Sequence, residues 1–438
     1  MKRLNVALLS AIITAASGGV ASAQPAEPGG PTLTLSGQLR FRGEVLHELD
    51  FTDAVDNPVL DDERIFSRAR LRVDASPRND VDVVLELQDS RTFGSEPTSA
   101  SNQPSLGLHQ GYLQLHRVGG SIVDLYVGRQ ELSYGDQRLI GAFDWSNTGR
   151  SFDAVRARIA PDGGLVLDLF GARLHDDRTG IRTLGDDFAG AYLMWDGASI
   201  DVDGYALYLH DRGGQIDTDD DGVPDTERFP GGGRYHLGTV GGRFDGQLGG
   251  VQLNAEGAVQ VGERGDWSIF AAAAHGRVGY AIAAPLAPTL FAGGAYATGD
   301  SDPTDDSFGT FENLFPTNHL HYGYADIAAW KNLIEGYGKV QLAPFAGWTV
   351  TVAAHALARA TTDDLFYRAS GAPIGLGVTS TESYVGTDLD LLAKWKAPNG
   401  ILVLGGLSYV VPGPYLDDVA GGDATAPLFG YLQMQGSF

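Results

Sequence analysis

The sequence predicts an all-β chain: a transmembrane antiparallel up-and-down β-barrel of about 18 strands with short periplasmic turns and long extracellular loops. Three observations carry this reading. Long segments alternate strictly between apolar and polar residues, connections alternate between short and long, and no window approaches the 18 or so apolar residues that a membrane-crossing helix needs.

The amino terminus sets the compartment. Met1, Lys2 and Arg3 precede an apolar core over residues 6 to 16, and Ala21-Ser22-Ala23 then supplies an A-x-A cleavage site. Residues 1–23 therefore read as a secretory signal, 24–32 as a short periplasmic segment and 33–438 as the barrel, in the outer membrane of a Gram-negative bacterium. In "LTLSGQLRFRGEV", residues 33 to 45, Leu33, Leu35, Leu39, Phe41 and Val45 face one way; Thr34, Ser36, Gln38, Arg40, Arg42 and Glu44 face the other. The same period returns at 251 to 261, where Val251, Leu253, Ala255, Val259 and Val261 oppose Gln252, Asn254, Glu256 and Gln260.

Segments of this kind are centred near residues 39, 70, 85, 113, 126, 156, 168, 191, 204, 239, 256, 273, 293, 338, 353, 389, 406 and 432. Tight turns such as "SPRND", "VGGS", "PDGG" and "APNG" alternate with long polar loops such as 131 to 152, 210 to 234 and 299 to 333. Sorting of loops by length is the mark of a membrane barrel rather than a propeller or sandwich. The last strand places Leu428, Leu432, Met434 and Phe438 on one face and ends on an aromatic residue, as outer-membrane barrels do.

The chain has 438 residues, no cysteine and a formal charge of −24 at pH 7. This excludes disulfides, thiolate metal sites and cysteine nucleophiles, and it disfavours nucleic acid as a partner. The charge is unevenly spread. Residues 33 to 160 hold 14 basic residues, all arginine, whereas the chain beyond 160 has 15 basic against 35 acidic residues.

With the apolar faces turned to lipid, Arg40, Arg42, Arg68, Arg70 and Arg72 line the lumen. On the lipid face each would cost about 2 to 4 kcal/mol at the bilayer midplane. Guanidinium groups bind carboxylates in a bidentate fork, so such a wall is a path for anions. The alternative is that they pair with Asp74, Asp82, Glu86 and Asp124 and stiffen the wall. Further candidates lie in and around "GDQRLIGAFDWSNTGRSFDAVR", 135 to 156: Arg129, Asp136, Arg138, Asp144, Trp145, Arg150, Asp153 and Arg156. There Trp145 and Phe152 stack or pack while Asp136, Asp144 and Asp153 hold Arg138, Arg150 and Arg156, or else the loop packs on itself without a ligand.

Gly128, Arg129 and Gln130, then Gly135 to Arg138, then Asp144, Trp145, Asn147, Gly149, Arg150, Phe152, Asp153 and Arg156, together with "LQDSRTFG" at 87 to 94, form a run that resembles the alginate-export family of outer-membrane barrels. The likeness is clear over residues 33 to 195 and continues beyond only as barrel architecture. It implies a channel passing a polyuronate from periplasm to medium, with folded-in loops narrowing the pore and arginines and acids at the constriction. The acid-rich second half departs from what a carrier of acidic polymer requires.

No cofactor is required by any motif. In "DTDDDGVPDTER", 217 to 228, Asp217, Asp219, Asp221 and Asp225 occupy loop positions 1, 3, 5 and 9 with Gly222 at 6, so the loop is a candidate for structural calcium. Arg228 stands where the final acidic ligand belongs, which favours a plain solvated loop. His319 and His321 form a weak metal signal, and the loop 299 to 333 is too apolar to stand in water and is expected to fold into or over the lumen.

No catalytic nucleophile with a positioned base is evident. Three readings follow: a secretion channel for an anionic polysaccharide, an uptake porin for small acidic solutes or oligosaccharides, and, as the least favoured, an outer-membrane hydrolase. The expected surroundings are outer-membrane lipid and lipopolysaccharide, the barrel-assembly machinery and periplasmic secretion partners.

Overall fold

A computed structural model describes residues 30–47, 62–95, 105–161, 163–174, 187–211, 215–216, 226–227 and 235–438. Eighteen long strands form one antiparallel sheet: β1 (Thr32–His47), β2 (Asp62–Arg78), β3 (Val81–Thr92), β4 (Leu106–Leu115), β5 (Val123–Gln130), β6 (Phe152–Ile159), β7 (Leu165–Arg173), β8 (Asp187–Asp196), β9 (Ile200–Asp211), β10 (Tyr235–Leu248), β11 (Val251–Arg264), β12 (Trp267–Ala281), β13 (Thr289–Ala297), β14 (Leu333–Leu342), β15 (Trp348–Ala358), β16 (Tyr384–Lys396), β17 (Leu402–Pro412) and β18 (Leu428–Ser437). Each of the segment centres read from the sequence falls in one of these strands.

The sheet closes where β1 pairs with β18, from Gln38 opposite Ser437 to His47 opposite Leu428. Gly37 and Phe438 exchange both backbone hydrogen bonds at 3.0 Å, which extends the seam to the last residue. The Phe438 ring covers Gly37, where a Cβ would lie 2.5 Å from it, so glycine makes room for the terminal aromatic. Closure removes every unpaired strand edge, as a bilayer demands.

The outer surface is apolar along the strands, with Leu33, Leu35, Val240, Val261 and Phe270 exposed. Trp195, Trp348 and Tyr280 at the periplasmic ends, and Tyr208, Tyr296, Tyr384 and Tyr409 nearer the outer ends, make the two aromatic girdles of a membrane barrel.

The core lies inside the barrel, in its outer half. Inward residues Phe152, Phe170, Phe188, Tyr192, Tyr205, Ala271, Ala297, Leu333, Leu357 and Val410 pack against Leu132, Ile140, Phe311, Tyr322, Ile327 and Trp330 of the outer loops. The loop 299 to 333 thus folds into the lumen as its composition requires. The helix α1 (Pro414–Ala420) and the loop 359 to 383 complete the filling: Arg359 donates to the carbonyls of Thr362, Asp364, Ser380 and Glu382 at 2.5 to 3.0 Å and lies 4.2 Å from the Tyr415 ring centre.

Candidate functional site

The arginine ladder and the loop 131 to 151 meet at mid-height in the lumen. Arg40 donates to the carbonyls of Asp144 (2.6 Å) and Ser146 (2.7 Å), and Arg42 to that of Trp145 (2.6 Å). Arg68 reaches the Asp144 carboxylate at 2.7 Å and Gln38 at 2.7 Å, while Arg70 reaches the same carboxylate at 3.2 Å. Gln88 and Ser90 on β3 fix Thr148 and Asn147 by their carbonyls, each at 2.8 Å. Arg40 and Arg68 are 2 % and 0 % exposed, so the loop tip covers them. Arg72 is the most exposed of the ladder, paired with Asp74 at 2.8 Å and with Glu86 at 3.6 Å.

Trp145 lies at the centre of this contact. Its ring stacks on His319 at 3.6 Å between centroids, and the Arg42 guanidinium sits 3.9 Å above it. Glu44 holds Arg42 from the wall at 2.6 Å. Gly149 leaves the tip with φ +72°, and a Cβ there would lie 2.7 Å from an Arg70 nitrogen. Glycine at this point meets both the left-handed backbone and the close approach.

The loop is then stapled across the barrel. Tyr134 donates to Asp168 at 3.0 Å, and Asp136 accepts from Arg243 on β10 at 2.9 Å. Arg138 donates to Tyr322 at 2.9 Å, and Phe315 exchanges backbone bonds with Leu139 and Gly141 at 2.9 and 2.8 Å. Arg150 donates to the carbonyls of Gly141 (3.1 Å), Phe315 and Pro316 (2.9 Å); burial pushes its guanidinium down to about 10. The second loop is held in turn by the wall: Ala325 and Tyr324 donate backbone N–H groups to Asp388 (3.1 Å) and Asp390 (3.3 Å).

These contacts correct the pairing read from the sequence. Asp136, Asp144 and Asp153 do not hold Arg138, Arg150 and Arg156. Their partners are Arg243, Arg68 with Arg70, and Arg129; Arg156 lies over the Tyr126 ring at 4.1 Å with Asp168 at 3.5 Å. Glu86 and Asp74 do pair with the ladder, but Asp82 and Asp124 bracket His116, at 2.8 and 3.2 Å.

Arg129 and Asp153 are a second correction. They pair with each other at 2.8 Å, both exposed, in register with the Arg173–Asp187 pair, so they face outward at the outer rim and do not line the pore. The reason is period two: Val127 and Val155 face lipid, and Arg129 and Asp153, each two places nearer the outer end of the strand, share that face.

The candidate metal ligands Asp217, Asp219, Asp221 and Asp225 lie outside the described residues. His319 and His321 engage separate partners: His319 Nδ1 donates to the Asp326 carboxylate at 2.8 Å, and His321 Nε2 donates to the Asp136 carbonyl at 2.9 Å. Burial, reinforced by Arg138, holds the His321 imidazole well below its usual range, which keeps it neutral.

The geometry is a closed barrel whose lumen is crossed by two loops pinned by wall arginines and acids. A family model for alginate export matches residues 32–426. No curated protein sequence matches the chain. Among solved structures it is similar to Pseudomonas aeruginosa OccD3 (OpdP), at TM-score 0.57 and 12 % identity over 92 % of this chain and 91 % of that one. It is also similar to OccK11 (OpdR) of the same organism, at TM-score 0.55 and 10 % identity over 93 % and 96 %, and to OpdK with vanillate, at TM-score 0.55 and 11 % identity over 92 % and 98 %. At such identities these likenesses speak for the barrel fold. By its family match over almost the whole described barrel, the chain belongs to the alginate-export family and is a channel of the Gram-negative outer membrane.

Proposed function

We propose that this channel carries acidic saccharides, a polyuronate chain in the first instance, by passive flow through the arginine-bearing lumen. The observation behind this reading is the convergence of Arg40, Arg42, Arg68 and Arg70 on one loop tip, residues 144 to 146, which offers them neutral carbonyls and one carboxylate, Asp144, while Glu44 meets Arg42 and Glu86 and Glu131 meet Arg70 from beside it. Charge-assisted bonds to a carboxylate are roughly twice as strong as neutral ones. Uronate carboxylates are therefore better partners for these guanidiniums than the carbonyls that occupy them. In this reading the tip is a plug that the passing anion replaces, and the pore does no chemistry.

A second reading, a porin for small acidic solutes, draws support from the two loops that cross the lumen and from the likeness to OpdK, a structure of which holds vanillate, itself a carboxylate. Both readings place the barrel among lipid and lipopolysaccharide, with assembly machinery and periplasmic partners.

Flux from proteoliposomes separates them. The polyuronate reading expects trigalacturonate to leave faster than the neutral trimer maltotriose; the small-solute reading expects galacturonate to pass and both trimers to be retained. Faster passage of maltotriose than of either acid would overturn both.

A further inference from the structure

Across the barrel from the ladder, below the folded loops, four adjacent strands build a cationic patch that the sequence run at 128 to 156 does not include. Strands β11 to β14 place Asn254, Arg277, Gly293 and Tyr337 in one cross-strand row. The next row toward the periplasm is Gln252, Gly279, Phe291 and Lys339, and the row above is Glu256, His275, Ala295 and Glu335. Glycine shapes the floor. A Cβ on Gly293 would lie 2.8 Å from the Tyr337 ring, and one on Gly279 would lie 2.6 Å from the Phe291 ring. Both rings therefore lie over a bare backbone, and the wall gains two aromatic platforms.

Two cations flank one of them. Lys339 Nζ is 4.7 Å and the Arg277 guanidinium carbon 5.4 Å from the Phe291 centroid. Unlike the ladder, this pair is short of acceptors. Arg277 meets Asp245 at 4.0 Å, and that carboxylate already serves Arg243 at 3.5 Å and Asn254 at 2.7 Å. Among the described residues Lys339 has no hydrogen bond or ion pair.

His275 supplies the independent observation. It is 5 % exposed, its ring runs parallel to Tyr337 with centroids 6.4 Å apart, and neither ring nitrogen has a hydrogen-bond partner among the described residues. Arg277 Nε is buried without a partner too. Buried polar nitrogens left unmatched are costly, so their persistence in one cluster argues for a ligand that matches them.

We propose that Arg277, Lys339 and His275, with Tyr337 and Phe291 as floor, form a subsite for a carboxylated sugar residue in the periplasm-facing half of the lumen. The guanidinium and ammonium groups take the carboxylate, the aromatic faces take the apolar face of the pyranose ring, and His275 takes a hydroxyl. The subsite rests on the reading of the lumen as a path for acidic saccharides, and gives that path a first binding station on the periplasmic side of the plug.

Calorimetric titration of the full-length, detergent-solubilised barrel with trigalacturonate tests it, with maltotriose as the neutral probe. The wild type binds the acidic trimer in preference to the neutral one. Arg277→Gln/Lys339→Gln weakens that binding by roughly tenfold or more, the scale set by losing charge-assisted partners. Lys339→Gln alone, at a half-buried position, weakens it less and serves where the double variant does not fold, as read from heat-modifiable gel migration. Equal affinity in the folded variants, or no binding by the wild type, overturns the subsite. Ion selectivity of the same wild-type preparation keeps the two levels apart: anion preference without binding overturns the subsite alone, and cation preference overturns the functional reading beneath it.

Discussion

Asp144 is the carboxylate that both Arg68 and Arg70 reach, and more than half of its side chain is exposed, so the strongest acceptor of the loop tip is open to solvent. Arg40, beside it, is held through carbonyls alone at 2.6 and 2.7 Å. At the periplasmic end His116 shows the opposite arrangement, a cation between two acids. Its hydrogen bond to Asp82, with Asp124 on the other nitrogen, raises the imidazole above its ordinary value. The folded state therefore binds the proton more tightly than the unfolded chain. This contribution is fully present below about pH 6.5, the unfolded value, and is lost as pH rises through the higher folded value. His116→Asn is thus expected to lower the unfolding midpoint at pH 5 to 6 and to leave it unchanged at alkaline pH. A difference that grows with pH in denaturant titrations would contradict this.

At the scale of elements, the two lumen loops are separable from the wall that they fill. Every strand pairs on both sides through β1 and β18, so wall hydrogen bonding does not depend on the loops. Removing residues 143–148 is expected to raise single-channel conductance several-fold while heat-modifiable migration still reports a folded barrel. Unchanged conductance would mean that the tip does not limit flow.

The strands were legible because a bilayer enforces period two. The apolar face must meet lipid, and this settles the inward orientation of Arg40, Arg68 and Arg156. The same rule, carried two residues past Val127 and Val155, places Arg129 and Asp153 outside, a signal that the dense charges of the run obscured. The partners across the lumen were not legible. Arg138 meets Tyr322 across 184 residues of sequence and Asp136 meets Arg243 across 107. No spacing encodes such pairs, because the loops choose partners only after the barrel has closed. Asp388 and Asp390, which hold the second loop, alternate like any inward pair on a strand.

For the whole molecule, the net charge of −24 and the arginine ladder are distinct properties. The acids beyond residue 160 are spread over the second half of the chain, whereas the ladder is concentrated on the inward face of β1 and β2 at mid-height, where its field acts within the lumen. Selectivity should therefore follow the ladder rather than the total charge. The most direct test is the reversal potential of the reconstituted barrel across a salt gradient, for wild type and Arg68→Ala/Arg70→Ala/Arg72→Ala, with and without trigalacturonate. An anion-selective wild type blocked by trigalacturonate, with both preference and block reduced and conductance raised in the variant, is the predicted result. Cation preference in the wild type, or indifference of the current to both the substitutions and the acidic trimer, would contradict an arginine-gated path for acidic saccharides.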